Sequence, residues 1–394
     1  MIGFDRGAAR DGEVLLLHAS VGGGHRAAAR AVARAIAELD PARPVRVIDA
    51  LDALSPAARR FYVRSFELSV AHAPGAYGAF FELTREVDRS PVWRAGRRLA
   101  NRTSGRALHQ LLRASRPAAV VCTHFFPLEV ALRERARGRL QAPVFSVVTD
   151  YVAHAFWRQA GAELTFCPPG RARHDLIRGG VPARRVRVSG IPIDPGCAAP
   201  FERERVRARL GLPPERPVLA LLAGGAGMGP LVEVLRATAH QVAERAELVV
   251  VCGSNAALKA EAEQAARALP GRIRVLGYVD PLLDLLRVAD VVVSKPGGLT
   301  TSECLALGKA TVFYEAAPGQ EGWNARFAAD RGAALIGRTP AEAARAAARL
   351  LAEPGLRAEV ARRAAHAGRP HAARVIATQV LLRATAARAP SSAA

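Results

Sequence analysis

From Glu13 onward, short runs of consecutive apolar residues alternate with Ala/Leu/Arg segments whose apolar positions recur at helical spacing. In the first half the runs are Glu13–Ala19, Val45–Ala50, Ala118–Thr123, Val144–Asp150, Leu164–Cys167 and Arg185–Ile191. In the second half they are Val218–Ala223, Leu248–Gly253, Ile273–Leu276, Val291–Lys295, Thr311–Tyr314 and Ala333–Ile336. Most are unbroken rather than alternating, the pattern of strands covered on both faces in a parallel sheet. The helical segments between them supply the crossovers that parallel strands need. This predicts an α/β chain. Pro192, Pro195, Gly196 and Pro200 follow the run ending at Ile191 and read as a linker, and a fresh strand–helix series starts after Pro217. Two doubly wound domains are expected, 1–195 and 205–370, with 371–394 as a C-terminal helix and a tail that frays from about Arg388.

Composition narrows the class. A length of 394 residues suits two or three domains, and 50% hydrophobic residues suffice for full cores. The 56 Lys+Arg exceed the 35 Asp+Glu by 21, yet only Lys259, Lys295 and Lys309 are lysines. So Arg-heavy, Ala-rich a chain carries a general compositional bias, and its charge favours anionic surfaces without naming one. The five cysteines are scattered, with no CxxC, which argues against a disulfide scaffold or a zinc site. Met1 to Gly12 has no apolar stretch of signal type. The longest uncharged stretch, Pro217–Val232, is broken by four glycines and two prolines and falls short of the ~20 residues of a membrane span. A cytoplasmic, non-spanning protein is expected.

Three strand-to-helix turns carry the candidate chemistry. The first strand runs into Ser20-Val21-Gly22-Gly23-Gly24-His25, where Gly23 and Gly24 let backbone approach a ligand at a helix N-terminus. His25 falls in the first helical turn, whose positive end keeps an imidazole neutral and able to accept a proton from an alcohol. Position alone leaves general base and cap or packing residue equally open. The second half opens with Gly224-Gly225-Ala226-Gly227-Met228-Gly229-Pro230. It is not GxGxxG, and no acid closes the following strand, which argues against a dinucleotide oxidoreductase. The third turn, Ser294-Lys295-Pro296-Gly297-Gly298, combines a cation with backbone amides suited to phosphate. Glu303 one turn later can take both hydroxyls of a ribose, or act as the capping-box partner of Thr300. Gln320, Glu321 and Asn324 suit sugar hydroxyls, or form a polar loop with an ordinary cap.

Taken together, GGGH, GGAGMGP, VVVCGSNAALK, VLGYVD, VSKPGGLTTSECLALGK and PGQEGWNARF closely resemble the diacylglycerol glycosyltransferases, from Val14 to Ile336 in order and at family spacing. That family comprises the bacterial processive glucosyltransferases and plant monogalactosyldiacylglycerol synthases, relatives of the peptidoglycan N-acetylglucosaminyltransferase. The resemblance implies a glycosyltransferase-B fold, two Rossmann-like domains facing a cleft, with the acceptor on the N-terminal domain and the UDP-sugar on the C-terminal one. It implies inverting transfer of a hexose to a lipid hydroxyl, foremost diacylglycerol, with no metal or other cofactor. His25 would be the base. Gly225, Ala226 and Gly227 would face the diphosphate, Val279 would hold uracil through its main chain, Glu303 the ribose, and Gln320 and Glu321 the hexose, with Asn324 close by. Thr149-Asp150-Tyr151, with His154 and Trp157 behind, resembles the acceptor-side segment. Asp194 stands where relatives often carry Arg, so one cation expected beside the diphosphate is missing. Cys304-Leu305-Ala306 also replaces smaller residues found in some relatives.

Between Arg85 and Arg116 lie nine arginines against Glu86 and Asp88, with Trp93 among them, and Arg59, Arg60 and Arg64 interleave with Phe61, Tyr62 and Phe66 just upstream. Such a segment suits peripheral docking on an anionic membrane, at the cytoplasmic face, or a solvated helix surface. Two enzymes remain as alternatives: a UDP-N-acetylglucosamine-dependent transferase with another acceptor, and a UDP-sugar 2-epimerase. Nucleic-acid binding, motivated only by the charge, lacks any recognisable motif.

Overall fold

The computed structural model describes residues 12–20, 23–60, 64, 84, 106–314 and 319–386. The chain divides into two compact units. One comprises Met1–Pro195 together with His371–Ala394, the other Gly196–Pro370.

In the first unit six parallel strands are β1 (Val14–His18), β2 (Val45–Asp49), β3 (Ala119–Cys122), β4 (Val144–Val147), β5 (Leu164–Cys167) and β6 (Val186–Val188). Their order is β2-β1-β3-β4-β5-β6. The unbroken apolar runs are explained by burial on both faces. Leu15, Leu17, Val120 and Cys122 enter one core, while Val14, Leu16, Ala119 and Val121 enter the other. Helix α1 (Gly24–Leu39) covers the second face, and α2 (Arg106–Ala114) and α3 (Phe125–Ala136) pack together over the first.

The second unit repeats the plan with β7 (Val218–Leu222), β8 (Glu247–Val251), β9 (Arg272–Leu276), β10 (Val291–Ser294), β11 (Ala310–Tyr314) and β12 (Leu335–Gly337), ordered β12-β11-β10-β7-β8-β9. Counted within the unit, this is the 3-2-1-4-5-6 order of dinucleotide-binding sheets. Its helices include α4 (Ala256–Arg267), α5 (Gly298–Ala306) and α6 (Gln320–Ala329). The expected strands all form, Leu164–Cys167 with the same ends and the others with ends shifted by at most three residues. Helix α7 (Ala372–Ala386) returns to the first unit, where Ala373, Ile376, Ala377, Val380 and Ala384 are buried against α1. The tail from Arg388, residues 85–105 of the basic segment 85–116, and its aromatic neighbours Phe61, Tyr62 and Phe66 lie outside the described residues.

Parallel doubly wound sheets bind ligands beyond the carboxyl ends of their strands, where the strand order reverses. Here those points are β1/β3 in the first unit and β7/β10 in the second. The turns singled out from the sequence follow β1, β7 and β10. Topology therefore brings the GGAG and KPGG turns, 70 residues apart in the chain, to adjacent strand ends.

Candidate active site

His25 sits at the reversal point of the first sheet, one residue into α1. Its Nδ1 lies 2.7 Å from the backbone carbonyl of Thr123, the residue after β3, and 3.1 Å from the Thr149 hydroxyl beyond β4. A carbonyl can only accept, so Nδ1 carries the proton and donates to it, and Nε2 keeps its lone pair. The Thr123 hydroxyl returns a bond to the His25 carbonyl at 2.8 Å. The His124 ring stands edge-on at 4.7 Å and Trp157 lies tilted at 6.5 Å. Burial among these groups pushes the His25 pKa down to about 4, with the Thr123 bond opposing. At neutral pH the ring is a neutral base with one defined tautomer.

The surrounding histidines are neutral as well. His18, at the end of β1, is pushed down to about 4 by burial, opposed by Asp49. His124 lies well below the ordinary imidazole value through burial and the neighbouring His25 and His18. His124 Nδ1 accepts the Phe126 amide and caps α3. His154 repeats this device: its Nδ1 accepts the Phe156 amide at 3.3 Å, while Nε2 meets the Thr84 hydroxyl at 3.0 Å. His154 thus shapes the segment that presents Trp157, which is 4% exposed, while Asp150 is half-buried beside Thr149. Asp194, where a cation was missed, pairs with Arg34 of α1.

On the second sheet the GGAG turn is locked to the turn after β8. Ser254 donates through its amide, at 3.0 Å, and its hydroxyl, at 3.1 Å, to the Gly225 carbonyl, and Asn255 Nδ2 donates to the Gly227 carbonyl at 2.9 Å. Asn255 Oδ1 meanwhile caps α4 by accepting from the Leu258 amide. The Gly227 amide turns back to Gly224 at 3.2 Å, so one of the three amides assigned to a diphosphate is already used within the turn. Ala226 and Gly225 stand at the turn's open edge.

Lys295, 8% exposed, pairs with Glu321 at 3.4 Å, so the phosphate candidate and a hexose candidate form one unit. Gly297 donates to the Lys295 carbonyl at 2.9 Å and forms the N-cap of α5, which starts at Gly298. Thr300 lies inside that helix, so the capping-box alternative for Glu303 does not hold; Glu303 is half-buried on α5. Asn324 is fully buried, its amide donating to the Pro296 carbonyl at 3.0 Å. It ties α6 to the KPGG turn, and that donor is not open to a sugar. Gln320 and Glu321 start α6, and Val279 is half-buried after β9.

Residues 25–193 match the monogalactosyldiacylglycerol (MGDG) synthase family model, and residues 218–350 match the glycosyltransferase family 28 C-terminal domain. The first half of the chain is thus similar to the MGDG synthases and the second half to the family 28 glycosyltransferases. A processive diacylglycerol beta-glucosyltransferase of Bacillus licheniformis is 31% identical over 246 residues, covering 62% of this chain and 63% of that protein. The chain thus spans less than two thirds of the length of such relatives. A "Probable monogalactosyldiacylglycerol synthase 2, chloroplastic" of Oryza sativa is 29% identical, covering 85% of this chain and 73% of that protein. Among solved structures, Acinetobacter baumannii MurG superposes with a TM-score of 0.55 at 18% identity, covering 94% of this chain and 99% of that one. Neisseria meningitidis UDP-GlcNAc 2-epimerase superposes at 0.59 and 13%, covering 94% and 100%. The fold is that of the glycosyltransferase-B enzymes.

Sequence reasoning missed Thr123 and His124 beside His25, and Ser254 and Asn255 behind the GGAG turn; Thr149 was placed on the acceptor side by resemblance, without its contact to His25. Each follows the end of a parallel strand, the signal that could have found them.

Proposed function

We propose that this protein is an inverting, metal-independent glycosyltransferase moving a hexose from a UDP-sugar to a glycerolipid hydroxyl, foremost that of diacylglycerol. The observation that carries the reading is the single tautomer of His25, with Nδ1–H held by Thr123 and Nε2 left basic. As the acceptor oxygen attacks the anomeric carbon, Nε2 takes its proton. The bond from that carbon to the diphosphate oxygen breaks on the opposite face, and UDP leaves with the electron pair. Amides of the turns at Gly225, Ala226 and Gly298, together with Lys295, meet the charge on the leaving group. Glu303 takes the ribose, the Val279 main chain the uracil, and Gln320 and Glu321 the hexose. Phe125 and Phe156, half-buried with centroids 5.0 Å apart, give the first unit an apolar surface near His25 suited to a lipid.

Incubation with a panel of UDP-sugars and extracted lipids, followed by mass analysis, tests this directly. His25→Ala is expected to lose on the order of 10²-fold or more in turnover while UDP affinity persists. Unchanged turnover would remove His25 from the mechanism. Full activity is expected after chelation of divalent metal. Release of an epimerised free sugar without acceptor would instead support a 2-epimerase.

No helix among the described residues is long and apolar enough to cross a membrane. Peripheral docking on anionic lipid at the cytoplasmic face completes the proposal. Flotation equal on neutral and anionic vesicles would count against it.

A further inference from the structure

A second site is written into the first unit, at the far end of α3 from His25. That helix begins at Phe125, directly after His124, and ends at Ala136, about 16 Å away at 1.5 Å per residue. Between its C-terminal end and α2 lies a cavity of about 670 Å³. Helix α2 contributes Arg106, His109 and Arg113, spaced to share one face, while its Leu108, Leu111 and Leu112 are buried. The end of α3 contributes Arg133, Arg137 and Arg139. Among the described residues, no carboxylate lines this cavity.

The acid nearest at hand is taken. Glu134 is fully buried beneath the arginines; its Oε2 accepts from Arg113 Nε at 2.7 Å and its Oε1 from His109 Nδ1 at 2.8 Å. Burial alone would raise its pKa, but the bonds from Arg113 and His109 hold it below the ordinary carboxylate value. It is a floor that fixes two of the lining side chains, His109 and Arg113. The helix dipole of α3 accounts for cations in its last turn, such as Arg133. It does not account for Arg106, which stands at the start of α2, nor for five guanidinium groups around one open volume. Mutual repulsion there is relieved by an anion, and guanidinium forks match phosphate oxygens two at a time. The volume exceeds what a bare inorganic ion needs.

We propose that this cavity binds a phosphate ester, with Arg106, Arg137 and Arg139 as its principal ligands. The site is independent of the transferase reading; Arg106, His109 and Arg113 belong to the 85–116 basic segment, and Arg133, Arg137 and Arg139 extend it to the end of α3. Calorimetric titration of the full chain with glycerol 3-phosphate, and separately with a monomeric short-chain phosphatidic acid, tests it. Arg137 and Arg139 are exposed, so the double variant Arg137→Ala/Arg139→Ala is expected to fold as wild type by circular dichroism. It should lose roughly tenfold in affinity per guanidinium. The control double variant Arg184→Ala/Arg187→Ala, an exposed basic pair of the same unit, should bind as wild type. Equal binding of both ligands identifies a soluble ester, and binding of the lipid alone identifies a headgroup. No binding of either, or equal losses in the two double variants, overturns the proposal. A chain that transfers no sugar yet shows this pattern leaves it standing.

Discussion

At the scale of single residues, the His25 ring is defined by its neighbours more than by its place on a helix. The Thr123 carbonyl cannot be mutated away, but the Thr149 hydroxyl can. Thr149→Val removes a 3.1 Å contact to Nδ1 and is expected to lower kcat by about 2- to 10-fold, the worth of one net hydrogen bond. KM for the UDP-sugar should hold, and Thr149→Ser should restore the rate; equal KM and kcat losses in both variants would point to damage of the segment instead. Proton linkage gives a further outcome. His25 and His18 are held near 4 in the folded chain against 6.5 unfolded, so the unfolded chain binds more protons between those values. Their contribution to stability is full above pH 6.5 and is lost as pH falls toward 4. A Tm falling between pH 7 and pH 4.5, with a shallower fall in His18→Gln, checks the sign. For the same reason the acid limb of transfer should lie well below pH 6.5.

At the scale of elements, two glycine turns that read alike in sequence differ in what they tolerate. Gly227 has φ near +66°, and a Cβ there would stand 2.2 Å from the Cys252 carbonyl oxygen and 2.6 Å from Asn255 Cβ. Its backbone is needed for the interlock with the turn after β8. Gly227→Ala costs about 1–2 kcal/mol for the left-handed backbone alone, and the clash adds to it, so Tm should fall. Gly297 has an extended backbone, φ −64° and ψ 144°, and a Cβ there meets nothing within 4 Å. Gly297→Ala should leave Tm unchanged. If the KPGG turn lies against phosphate, the same methyl will weaken UDP binding in calorimetry. A stable variant with unaltered UDP affinity would place the nucleotide elsewhere.

At the scale of the whole molecule, the chain ends in the unit where it began. Helix α7 lays Ile376, Ala377 and Val380, each fully buried, against the face of the sheet that α1 also covers. Truncation after Pro370 removes this cover and exposes apolar surface of the His25-bearing unit, at ~25 cal/mol per Å². Hydrogen exchange is expected to quicken in α1 and β1 while β7, β8 and β10 keep their protection. Uniform loss across both units would show that the chain unfolds as one.

The sequence by itself determined the layers. Unbroken apolar runs of four to six residues have nowhere to go but the middle of a covered parallel sheet, and crossovers must then be helical. The glycine turns and His25 were legible because strand-to-helix turns need glycine where backbone meets an anion, and a short motif carries that locally. Tertiary structure decided the rest. It set the tautomer of His25, through a carbonyl 98 residues away, and paired Lys295 with Glu321. It turned Asn324 inward onto Pro296 and returned α7 to the first sheet. These depend on strand order, which adjacency in sequence does not encode: β3 lies beside β1 and β10 beside β7, so the groups that define each candidate half-site meet only once the sheets are wound.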